Sequence, residues 1–224
     1  MNTHAESRRR TRRLVALAAA GLVLAVGATA SAMAAWTDTE WVWGSAGGVL
    51  GGEDGLATSV FAVQQNTGTG DAAWSDRPTS ATAGAISFTA DAASLAPGDT
   101  VYGFVRLRTV VESVAGTVVM KPALPGDGTD TDLFGALTFG ARVMSSPTTC
   151  SAAGFASNGT AIVAPGTPVT STADAASFTL AAAGDSVPGE ERTVCVALTL
   201  PAGSPSTLQG LQALPVWQFV STSN

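Results

Sequence analysis

The sequence predicts an all-β protein, a single β-sandwich of jelly-roll or Ig-like type, preceded by a cleaved signal helix. Three observations carry that reading. Short apolar segments with a period of two recur along the chain, separated by Gly, Pro, Asp and Ser, the mark of half-buried strands joined by turns. Beyond the first 34 residues no segment sustains a 3.6-residue period with caps. The amino terminus stands apart: Arg8, Arg9, Arg10, Arg12 and Arg13 precede an uncharged run of seventeen residues, Leu14 to Ala30.

That terminus has the layout of a secretory signal, with a basic region, an apolar region and an exit through small residues. Ala30-Ser31-Ala32 and Ala32-Met33-Ala34 both place small residues at −3 and −1 of a cut. We place cleavage after Ala34, so that Ala35 begins the mature chain. The competing reading is an uncleaved anchor, because seventeen residues lie near the lower limit for spanning a bilayer. TRRLVA, residues 11–16, loosely resembles a twin-arginine signal, but arginine pairs are common in basic regions and general secretion is the expectation. The chain thus divides into a signal peptide (1–34), a mature N-terminal strand with a Gly-rich tether (35–56) and the sandwich domain (57–224).

The strands are expected, in order, in ATSVFAVQ from Ala57, AISFT from Ala85, TVYGFVRLR from Thr100, TVVMK from Thr117, LTFGARVM from Leu137, SFTLA from Ser177, TVCVALTL from Thr193 and PVWQFVST from Pro215. The most helical fragment is DTDLFGA, where Asp130 or Asp132 is placed to cap one short turn. In TVCVALTL, Val194, Val196, Leu198 and Leu200 share one face and Thr193, Cys195, Ala197 and Thr199 the other. The aliphatic face is expected to meet the core, leaving Cys195 on the far side. In the last strand Trp217 and Phe219 share a face and are read as core.

Cys150 and Cys195 are the whole thiol content, and in an exported chain the simplest arrangement joins them in a disulfide. Cys150 lies in the turn-rich SSPTTCSAAG, so the bond would pin a loop over the outside of a strand.

Removing residues 1–34 takes away five of eleven basic residues and one of seventeen acidic ones, leaving six against sixteen. So acidic a chain lacks the clustered cations that hold phosphates, which argues against nucleic acid and anionic membrane as partners. The only histidine is His4, inside the signal, so the mature chain offers no HExxH, no Ser-His-Asp triad and no Cys-His pair. The expectation is a non-enzyme with no cofactor. Asp127, Asp130 and Asp132 lie within GDGTDTD, and Asp130, Asp132 and Gly135 match part of a calcium-loop pattern that Phe134 breaks; a solvated acidic turn is the favoured reading. LPAGS, residues 200–204, lacks the apolar span and basic tail of a sortase signal.

The mature start, Ala35-Trp36-Thr37-Asp38-Thr39-Glu40, together with LAPGD (95–99) before a strand, STLQG (206–210) and the aromatic closing strand PVWQFVST, resembles the TasA/camelysin family, whose members leave through a dedicated SipW-type signal peptidase. The match touches both ends and the middle of the chain, whereas 117–188 carries no family motif. The resemblance implies an extracellular structural subunit of the cell surface or biofilm matrix. It also implies self-association, or association with other cell-surface proteins, and no membrane contact after processing. Relatives have been labelled metalloendopeptidases, a chemistry for which this chain has no imidazole. A mechanism for assembly is strand addition, with Trp36, Asp38, Glu40, Trp41, Val42 and Trp43 as the donor strand and Gly44 to Gly55 as its tether. The alternative is a monomeric surface adhesin or binding module presenting loops around 66–80 and 145–170.

Overall fold

The computed structural model describes residues 59–172 and 175–224. The signal, its cleavage residues Ala32, Ala34 and Ala35, the donor strand Trp36 to Trp43 and the glycine tether all lie outside them. The chain divides into two units, Met1–Ala57 and Thr58–Asn224, and the second is the all-β sandwich expected from the alternation.

One sheet has five strands: β1 (Val63–Asn66), β2 (Thr100–Thr109), β5 (Thr138–Met144), β6 (Thr160–Pro168) and β8 (Arg192–Thr199), in the order β1-β2-β8-β5-β6. The second sheet is β10-β3-β7, from β3 (Gly116–Met120), β7 (Phe178–Leu180) and β10 (Phe219–Ser223). A small ribbon joins β4 (Leu124–Pro125) to β9 (Pro215–Val216). Every pairing between named strands is antiparallel.

The core lies between the two sheets. Val101, Val105, Leu107, Phe139, Ala141, Val194, Val196 and Leu198 from the first meet Val118, Met120 and Leu180 from the second, and Trp217 and Phe219 pack against the same cluster. Period-two alternation puts these side chains on one face of each strand, and their burial is the main force holding the sheets together. Helix α1 (Thr131–Ala136) closes one end by burying Phe134. Asp130 is its N-cap, its carboxylate accepting from the Asp132 and Leu133 amides, as the sequence suggests.

Several expected strands are shifted or missing, each for a visible reason. The first begins at Val63; Val60 makes only an isolated bridge to Ser113. Residues 85–89 form no strand, although Ile86 and Phe88 reach the core. They do so because Gly103 of β2 has no side chain: a Cβ there would lie 2.5 Å from Ile86 and 3.0 Å from Phe88. The closing segment PVWQFVST splits at Trp217–Gln218 into β9 and β10, one half pairing with β4 and the other with β3. The expected loop over 145–170 contains helix α2 (Ala152–Ser157) and all of β6; Pro165, Gly166 and Pro168 hide this strand in the sequence, and the β5–β6 ladder slips register around Ala141.

The loop after β1 is fastened to the sheet. Asn66, buried, donates to the Gly70 carbonyl and accepts from the Gly68 amide. Arg106, 3% exposed, donates to the same carbonyl at 2.5 Å, to Asp71 at 3.2 Å and to Glu191 at 2.9 Å. Trp74 lies over both Arg106 and Arg108, with guanidinium carbons 4.9 and 4.0 Å from its ring centroid. The first part of the loop around 66–80, which the binding-module alternative would present to a ligand, is held down by an outward-facing arginine of β2.

Candidate functional site

Cys150 and Cys195 are joined in a disulfide, with Cα atoms 5.4 Å apart. Cys195 sits mid-strand on β8, opposite the face that carries Val194, Val196 and Leu198 into the core, as the alternation predicts. That outer face is not open, however. Met144, Phe155, Cys195 and Ala197 form a second buried cluster, with Tyr102 and Cys150 packed against it. Cys150 follows the 3-10 turn Pro147–Thr149, and Ser151 caps α2 by accepting from the Gly154 amide at 3.2 Å. The bond thus clamps turn and helix onto the sheet, with Phe155 as the apolar anchor. Gly154 permits this fit, since a Cβ there would lie 1.9 Å from the Thr149 carbonyl oxygen. Phe155 is the residue that sequence reading missed; the capping signal at Ser151 was the clue to its helix.

Replacing both cysteines by alanine should lower stability by about 2–4 kcal/mol, because the closed loop no longer constrains the unfolded chain. Thermal unfolding in the absence of reductant measures this. Amide exchange should rise first in residues 147–157, the segment the bond clamps.

The strand-addition mechanism needs an open sheet edge, and the described residues differ sharply in what their edges offer. The β1 edge is closed at Gln65, which exchanges both backbone hydrogen bonds with Ser75 at 2.9 and 3.0 Å, leaving Val63 as its one outward residue with no backbone partner among the described residues. The β6 edge is broken by its irregular register and by two prolines, which have no N–H, and the Ile162 carbonyl there accepts from Ala176. Strand β7 has three residues, and the chain just beyond it is tied to Thr109 and Ser113. β10 is different. Its bonds from Lys121 N to Gln218 O and from Asn224 N to Ala115 O set the antiparallel alternation, so that Val220 and Thr222 turn their backbone groups toward β3. The N–H and C=O groups of Phe219, Ser221 and Ser223 point outward, with no backbone partner among the described residues.

The acidic turn holds no carboxylate cluster. Asp130 is occupied in capping α1, and among the described residues no three His, Cys, Asp or Glu side chains come together in a way that could hold a metal. Among the same residues no helix is long and apolar enough to cross a membrane. The LAPGD block is a turn: Gly98 has φ +101°, the Asp99 carboxylate accepts from the Ala96 amide, and Gly98 N donates to Leu200 O at the foot of β8. STLQG forms a 3-10 turn at Ser206–Leu208, followed by Gly210 at φ +75°.

No protein-family model matches this chain, and no curated protein matches it. The likeness to the TasA/camelysin family rests on the sequence blocks themselves.

Proposed function

We propose that this chain is a secreted, non-enzymatic structural subunit of the cell surface or biofilm matrix, of the TasA/camelysin kind, that assembles by strand addition. The mature N-terminal segment, Trp36 to Trp43, leaves its own molecule on the glycine tether and pairs with the β10 edge of the next. The observation that carries this reading is the β10 edge, where three residues in register have no backbone partner among the described residues, while the other edges are short and partly closed, bulged or crossed. The disulfide supports it, because such bonds persist in oxidising compartments. A docked strand gains backbone hydrogen bonds and buries its indole rings, each large side chain contributing roughly 1.5–3 kcal/mol when fully covered. The acidic surface opposes association between copies, so assembly should strengthen as salt screens that repulsion.

Ser221→Pro tests the acceptor edge. The Ser221 N–H points away from β3, so proline removes an outward donor without taking a bond from the existing ladder. Size-exclusion chromatography of the processed variant should show loss of multimers with the melting temperature nearly unchanged. Assembly equal to that of the parent protein would exclude β10 as the acceptor. A parent protein that stays monomeric would favour the binding-module reading.

A further inference from the structure

The outer face of the five-stranded sheet holds a cleft of about 340 Å³, near the lower bound for sites that take small molecules. Its base is made of small, buried residues partly covered by the Phe155 ring. Gly140 lets the β6 bulge come close, since a Cβ at that position would lie 2.9 Å from the Pro165 Cα; Ala197 continues the floor along β8. One wall is Tyr102, whose ring lies 5.8 Å from that of Phe155, and the opposite wall is Pro165 and Gly166. At the end of the floor the Thr100 and Thr199 hydroxyls bond one another at 2.8 Å, each keeping further hydrogen-bonding capacity toward the cleft.

Arg142 stands in this lining with its orientation fixed. Its Nε donates to the Asn158 carbonyl and its Nη2 to the Gly159 carbonyl, both at 2.8 Å. That turn is itself constrained: Gly159 has φ +71°, and a Cβ there would lie 2.3 Å from the Val143 carbonyl oxygen. The guanidinium carbon is 5.8 Å from the Phe155 ring centroid. No carboxylate pairs with Arg142 among the described residues, where the ion pairs belong to Arg106 and Arg192. In so acidic a chain, a cation held rigidly by two carbonyls, with no counter-ion and no Nη1 partner among the described residues, is suited to an anion. A planar guanidinium suits a carboxylate.

The geometry points to a carboxylate-bearing sugar as the occupant, a hexuronate unit of a glycan, engaged one carboxylate at a time because Arg142 is the one cation among the described lining residues and the acidic chain around it repels further anions. Arg142 holds the carboxylate, the threonine hydroxyls meet ring hydroxyls, and the amphipathic Tyr102 ring covers the apolar face of the sugar. The site needs only the folded sandwich, so it stands whether or not subunits assemble.

The test is an NMR titration of the processed protein with a galacturonate trimer, with glucose and a free-carboxylate dipeptide as comparison ligands. Saturable shifts are expected at residues 100–102, 140–142, 155 and 197–199, with glucose binding weaker by about tenfold or more, a difference of roughly 1.4 kcal/mol. Arg142→Gln should weaken trimer binding by a similar factor. Ala156→Trp, at an exposed rim position, should block the cleft while leaving the Arg142 bonds in place, so a folding defect in the first variant does not decide the outcome. Equal binding of glucose and trimer, tighter binding of the dipeptide, no saturable shift, or trimer affinity unchanged by Ala156→Trp would each overturn the proposal.

Discussion

Phe139→Ala should destabilise the sandwich by about 3–5 kcal/mol, the range for deleting a large buried aromatic. Phe139 has no exposed surface. It stands on β5, an interior strand of the five-stranded sheet, and its ring centroid lies 5.7 Å from that of Trp217, which also contacts Phe88 at 6.4 Å. Three chain segments distant in sequence therefore converge on one ring. The β5 backbone is fixed on both sides by β8 and β6, so the surroundings cannot collapse fully into the void, which places the cost toward the upper end. Equilibrium unfolding in urea, followed by tryptophan emission, measures the loss. A cost below about 1.5 kcal/mol, the level of a conservative core exchange, would mean that the aromatic cluster is not the centre of the core.

Arg106→Ala should cost about 3 kcal/mol, the low end of the range for removing one member of a buried charged network. The low end applies because the carboxylates left behind can reach water: the Asp71 side chain is 86% exposed and that of Glu191 39%. The loss comes from the three hydrogen bonds of the buried guanidinium, with the Gly70 carbonyl keeping only its Asn66 donor, and from Trp74, which loses one of two cations beneath its ring. The order of effects follows from exposure. Glu191→Gln should cost more than Asp71→Asn, since an ion pair with so exposed an aspartate contributes little. Thermal unfolding ranks the variants, and a change in Trp74 emission at temperatures below unfolding should accompany Arg106→Ala alone. Equal, negligible costs for all three would show that the loop over 66–76 is not fastened by Arg106.

Legibility in the sequence followed how far each signal was local. Strands with clean alternation, such as TVYGFVRLR and TVCVALTL, stand where the pattern places them, and the Asp130 cap and the Pro97-Gly98 turn are read from a few adjacent residues. The pairing of Cys150 with Cys195 needed only the absence of any other thiol. What the pattern does not reveal is what lies on the far face of a strand. Arg106 and Cys195 both sit at outward positions, yet both are buried, because the loop after β1 covers one and α2 the other. Strand β6 is hidden in the sequence because a register slip with Pro165 and Gly166 interrupts its alternation. Residues 85–89 show the converse: two apolar residues at period two reach the core without joining a ladder, because Gly103 leaves them space. The cleft at Arg142 was invisible for a related reason, since its lining comes from β2, β5, β6, β8 and α2.

The central claim, assembly through the N-terminal segment, is tested most directly by electron microscopy and size-exclusion chromatography of two proteins side by side: the mature chain beginning at Ala35, and the same chain lacking Ala35 to Trp43. The account predicts high-mass fibres from the first and a folded monomer with an unchanged melting temperature from the second. Fibres from the truncated protein, or a mature chain that remains strictly monomeric at high concentration and high salt, would contradict it.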